Sequence, residues 1–186
     1  SMRSVWNKPG RHVTIRRNTD RWYGFPAVVQ ATDHSLICAY SDGIGHGGSD
    51  TLFVQISRDL GLTWGEPAAI VDGGGSARLQ RLEDGSLLLL THCTQDRDGE
   101  RFLDVVFFDS HDCGRTWINK RWMRAISPSR TPGDLMQPSE VVVMPDGSWR
   151  LATHWFELRP GTVIATQPLH IKIWKSTDQG TTWEAL

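Results

Sequence analysis

The chain is poor in cysteine, has no long apolar run and carries no excess of charge of either sign. Its three Cys, at 38, 93 and 113, are odd in number and show no Cys-x-x-Cys spacing. They read as free thiols, which leans towards a reducing, cytoplasmic compartment and otherwise leaves localisation open. No apolar run approaches the roughly 20 residues needed to cross a bilayer, so no membrane partner is expected. The amino terminus, SMRSVWNKPG, is not a signal peptide, and Ser1 ahead of Met2 reads as an added residue, with a native signal not excluded. Twenty basic residues stand against 21 acidic ones, with no basic stripe for nucleic acid and no acidic tail. The seven His show no metal-ligand spacing, so no metal and no cofactor is expected.

What the chain does have is glycine, proline, tryptophan and repetition. The length, 186 residues, suits one domain with a real core, and 18 Gly with 9 Pro suit strands and turns. An octet recurs three times: SRDLGLTW at 57–64, SHDCGRTW at 110–117 and STDQGTTW at 176–183. Each is preceded by a second shared signature, aligned on Asp33, Asp84 and Asp146, of apolar strand, acidic turn and apolar strand. The Asp-Gly pairs of the second and third copies are hairpin-turn signals, because Gly takes positive φ freely.

Self-similarity at intervals of 53 and 66 residues between octets divides the chain into units of four short strands. The first has strands at 27–30, 35–40, 51–56 and 67–71. The second has them at 77–82, 86–92, 103–109 and 122–126. The third has them at 139–144, 148–154 and 169–175, with a fourth barely begun. No segment carries a helical period. Four-stranded units repeating in this way predict an all-β β-propeller with three blades, at about 22–71, 76–126 and 138–186, in a single domain.

The octet is a turn lock. An Asp two residues before a Gly accepts N–H bonds across the turn, the Gly takes the strained φ, Ser supports it, and Trp buries an aromatic face. Asp59, Gly61 and Trp64, then Asp112, Gly114 and Trp117, then Asp178, Gly180 and Trp183 are therefore read as structural. The octet matches the Asp-box, and residues 22–183 resemble the sialidase (neuraminidase) superfamily of BNR-repeat propellers. That resemblance implies a six-bladed ring, with the octets on the face away from the active site. Three blades are half of it. A second copy would close the ring as a C2 homodimer, and RHVTIRR at 11–17, which alternates Val13 and Ile15 with polar residues, would supply the missing strand of blade three, in trans.

The resemblance also implies glycan chemistry on the opposite, loop-bearing face: an arginine triad for a carboxylate, a Tyr–Glu nucleophile pair and an Asp acid/base. The sequence departs from this. Where the family has Tyr-Arg-Ile-Pro, the chain has YGFPA, with Gly24 in the arginine's place, and neither Tyr23 nor Tyr40 matches the nucleophile. Counting six back from the hairpin Asp gives Arg78 and Glu140, at the mouths of innermost strands. Counting eight forward gives His92 and His154, and Asp50 lies in a nearby loop. These five are the catalytic candidates, with His46, Trp155 and Glu157 as substrate contacts. Each has a plainer reading: a strand-ending His more often bonds locally, Arg78 and Glu140 can pair with each other, and Trp155 can pack beneath its loop. The expected function is a glycan-directed, sialidase-like protein, with an exo-acting glycoside hydrolase, a non-catalytic glycan- or protein-binding propeller and an inactive fragment as its alternatives.

Overall fold

The computed structural model describes residues 12–45, 50–97, 100–125, 134–156 and 170–186. These residues are all β, with no helix among them, in three antiparallel sheets that follow one another along the chain. The first is a meander of β1 (Trp22–Gln30), β2 (Leu36–Gly43), β3 (Thr51–Ser57) and β4 (Ala68–Asp72). The second repeats it with β5 (Arg78–Arg81), β6 (Leu87–Arg97), β7 (Glu100–Ser110) and β8 (Ile118–Trp122). The third contains β9 (Arg124–Ala125), β10 (Asp134–Met136), β11 (Val142–Val143), β12 (Trp149–Phe156), β13 (His170–Ser176) and β14 (Thr182–Ala185).

Alternation along the middle strands builds the core. Successive side chains point to opposite faces, so Leu87 and Leu89 pack with Ile37, Ala39 and Val54 of the first sheet. Leu88 and Leu90 pack the other way, with Trp149, Leu151 and Trp174 of the third. The second sheet is thus buried on both faces, which is why its middle strand reads as an unbroken Leu87–Leu90 run.

Three hairpins join the first two strands of each sheet. The main-chain bond from Ala31 N–H to Ser35 O (2.9 Å) recurs from Leu82 to Ser86 and from Met144 to Ser148. Gly85 and Gly147 take positive φ there, and His34 takes the same conformation, at 69°, in the first copy. Asp33, Asp84 and Asp146 each accept the N–H and the hydroxyl of the Ser two residues on.

Four strand expectations are corrected. The first sheet's inner strand starts at Trp22, not 27, because a bulge between Gly24 and Ala27 carries the ladder past Pro26. The second sheet's outer strand is Ile118–Trp122, not 122–126; it is largely solvent-exposed and so lacks an apolar signal. Residues 124–125 instead run parallel to Thr182–Trp183, on the third sheet. The third sheet has its own fourth strand, β14, while its inner position is split into β10 and β11, both paired to β12. Residues 12–18 form no strand in the single chain. Ile15 and Arg16 lie on the first sheet, where they line a cavity of about 270 Å³ with Tyr23, Cys38 and Tyr40.

Candidate functional site

The octets all lie between the third and fourth strands of a sheet, at its hairpin end, and share one bonding scheme. The Ser57 hydroxyl donates to Asp59 (2.8 Å) and accepts the Gly61 N–H (2.8 Å). Asp59 accepts the Thr63 N–H (2.8 Å) and hydroxyl (2.5 Å). Ser110, Asp112, Gly114 and Thr116 repeat this, as do Ser176, Asp178, Gly180 and Thr182. Two consecutive residues take positive φ in each turn: Leu60 and Gly61, Cys113 and Gly114, Gln179 and Gly180. Bonds from Thr63 are the main reason the Asp59 carboxyl falls to about 2. Burial opposes the same effect at Asp112 and Asp178, but the threonine bonds prevail and both are lowered. Trp183 is fully buried and stacked on Phe107 of the second sheet, centroids 5.7 Å apart. Both carboxylate oxygens of Asp59, Asp112 and Asp178 are thus engaged within their own turns.

The opposite end of the sheets is different. Arg21 bridges two carboxylates, at 2.9 Å from Asp42 and 2.6 Å from Asp50. Asp50 is therefore held as an ion-pair partner, with its carbonyl accepting the Gly73 N–H. Arg21, one residue ahead of β1, was not singled out by sequence reasoning. Gly24 has a clear reason: a side chain there would run into the indole of Trp22. The ring of Trp22, edge-on to Phe25 at 5.3 Å, covers the position that the sialidase resemblance reserves for an arginine.

Arg78 and His92 lie on the second sheet, close enough for the charge of Arg78 to act on the imidazole. Arg78 opens β5, and its Nη1 donates to the Ala77 carbonyl at 2.9 Å. Gln80, two residues on and on the same face, clamps the next inner strand by donating to Val141 O (2.7 Å) and accepting Val141 N–H (2.9 Å). That clamp holds Val141 against the second sheet, and Glu140, one residue earlier, is exposed. Among the described residues Arg78 and Glu140 make no ion pair with each other. Arg21, Arg115 and Arg121 each pair with an aspartate instead.

His92 is pinned from two sides. Its carbonyl accepts the Gly75 N–H (2.9 Å), and its Nδ1 accepts the Gln137 N–H (3.3 Å), leaving the proton on Nε2. A Cβ on residue 75 would collide with the imidazole, so glycine is required there. Burial, helped by the positive charge of Arg78, lowers the His92 pKa to about 4. The ring is neutral at pH 7.

The remaining candidates lie apart. His154 sits opposite Ile171, on the face of the third sheet turned away from the second, so the two histidines do not share a site. Trp155 is buried, with the Lys172 amine 4.0 Å from its ring centroid, and is a packing residue. Tyr40 is buried, donates to Gln55, and is pushed up to about 12 by that burial. His46 and Glu157 lie outside the described residues. A cleft of about 420 Å³ lies at the octet end, lined by Trp64, Arg58, Glu66 and Arg115. Neither it nor the 270 Å³ cavity includes Arg78, His92 or Glu140. Among the described residues no three His, Cys, Asp or Glu side chains group as metal ligands.

Repeating four-stranded meanders packed face to face define a propeller-type all-β protein, and similar solved structures agree. A protein of unknown function from Dyadobacter fermentans superposes with TM-score 0.63 at 17% identity, covering 88% of this chain and 50% of its own. The Hadza microbial sialidase Hz136 gives 0.60 at 19% identity, covering 88% of this chain and 37% of its own. An α-L-arabinanase of Penicillium chrysogenum, solved with arabinobiose, gives 0.54 at 17% identity, covering 86% and 47%. The chain thus spans half or less of the length of these structures, and the likeness is one of fold. No family model and no curated protein matches the sequence.

Proposed function

We propose that this chain is a three-bladed portion of a sialidase-like, Asp-box-bearing propeller, and that it is glycan-directed through Arg78 on the loop face. The observation that carries this reading is the state of that guanidinium. It stands at the start of the middle sheet's inner strand and, among the described residues, has a main-chain carbonyl as its one partner, where Arg21, Arg115 and Arg121 are neutralised by aspartates. A guanidinium offers a planar fork suited to a carboxylate, so the sugar class is acidic. The Asp-box reading is supported by the three identical turn schemes, and the glycan reading by neighbours that include a sialidase and an arabinanase.

Recognition without turnover is favoured over hydrolysis by one further observation. His92 has its Nδ1 bonded and its ring packed on Gly75, and Asp50 is held by Arg21, so neither stands ready to move a proton. Hydrolysis would fall to Glu140, the exposed carboxylate that is the repeat equivalent of Arg78 in the third unit. A screen of sialosides, uronic-acid oligosaccharides and neutral glycans separates the two. Saturable binding without product supports recognition, and product formation lost in Glu140→Gln supports hydrolysis. Arg78→Ala weakens binding about 10- to 100-fold, the worth of a charge-assisted bond. Unchanged binding and turnover in that variant removes the assignment.

A further inference from the structure

The internal repeat gives a ruler for the two end faces of the sheet stack. Counted from each hairpin aspartate, Val28, Leu79 and Val141 are equivalent. Leu79 and Val141 are buried against the preceding sheet, whereas Val28 is 62% exposed. Counted back from each octet serine, Leu52, Val105 and Ile171 are equivalent, as are Val54, Phe107 and Ile173. The members in the first and second sheets are buried against the following sheet, but Ile171 is 64% and Ile173 42% exposed. Ala152 pairs with Ile173 and continues that stripe, as Ala39 does with Val54 in the first sheet. Two positions depart from the pattern. Gln55 stands where Phe108 is buried against the first sheet, and its amide accepts from the Tyr40 hydroxyl and donates to Gly65 O. Arg150 stands where Ile37 and Leu88 are buried, and it meets its own needs by bonding Ser148 Oγ and Trp149 O. Each end of the stack therefore carries the residue pattern that, inside the stack, receives a neighbouring sheet.

We propose that a second copy of this chain covers both faces, with the Ile171–Ile173 face of one copy against the Val28 face of the other, twice, in a closed head-to-tail pair. The faces are complementary by construction, because each interior junction already joins one face of each kind. The amount of chain also fits. This chain spans 50% and 47% of two of the solved neighbours, so two copies supply about one such molecule. The contact is heterologous and closes after two steps, which leaves no open sheet face. The inference rests on the fold and is independent of the glycan reading. A closed pair would also wall the Arg78 face on every side.

Light scattering on a sizing column tests it. The wild type is expected at twice the 20.9 kDa chain mass at every concentration tested. Val28→Glu and Ile173→Glu, at exposed positions, are each expected to shift this to one chain with unchanged circular dichroism. Mixing the two variants restores a two-chain particle, since one pair of unaltered faces remains, and the double variant does not associate. A wild type that stays at one chain mass overturns the proposal. So does growth into ever-longer assemblies, or variants that keep the two-chain mass.

Discussion

Ser110 is fully buried, and its hydroxyl donates to Asp112 while accepting the Gly114 N–H at 2.9 Å. Ser110→Ala is expected to lose about 1–3 kcal/mol, the cost of a stranded buried donor, read as a lower urea midpoint at unchanged slope. His92 gives a pH signature. Its folded pKa of about 4 lies below the unfolded value of 6.5. The unfolded chain takes up the proton first, so the residue's contribution is complete above pH 6.5 and is lost as pH falls towards 4. The stability difference between wild type and His92→Gln is expected to slope across that window, by at most about 1.4 kcal/mol per pH unit, and to be flat above it. The octet's Ser, Asp, Gly and Trp were legible in the sequence because they repeat with their chemistry intact. The positive φ at Leu60, Cys113 and Gln179 was not, since those side chains have nothing in common. Neither was the role of the threonines, whose bonds depend on the turn being closed.

At the level of the strand, alternation and acidic turns located the middle strands closely, because those strands are buried on at least one face. The second sheet's outer strand escaped that reading, whereas the first sheet's did not: Ile118–Trp122 is polar where it faces solvent, and the apolar Met123 beyond it drew the expectation onward. The inner strand of the third sheet was read as continuous, but Ser139 interrupts it by donating its hydroxyl to Glu140 O and accepting the Ala152 N–H. What ties β5 to the third sheet at Val141 is Gln80, a lone glutamine with no sequence signal. Gln80→Ala strands both the N–H and the C=O of Val141. It is expected to cost about 1–3 kcal/mol and to raise hydrogen exchange at Val141 more than at Leu88. Equal protection at the two amides would show that the clamp does not hold the junction.

For the whole molecule, the repeat made the fold legible, and the function remained outside it. Hairpins and octets lock one end of every sheet, and the other end carries Arg78, Glu140 and the pinned His92. His46 and Glu157 lie outside the described residues. Arg78 and Glu140 could be found only by counting along the repeat, and the pinning of His92 by Gly75 and Gln137 could not be counted at all. The most direct test of the account pairs an acidic oligosaccharide bound in the screen with the same molecule after reduction of its carboxylate to the alcohol. Calorimetric titration of wild type and Arg78→Ala with both gives four affinities. The account predicts that the wild type prefers the acid about 10-fold or more, and that Arg78→Ala binds acid and alcohol alike. A preference for the acid that survives intact in Arg78→Ala would contradict it.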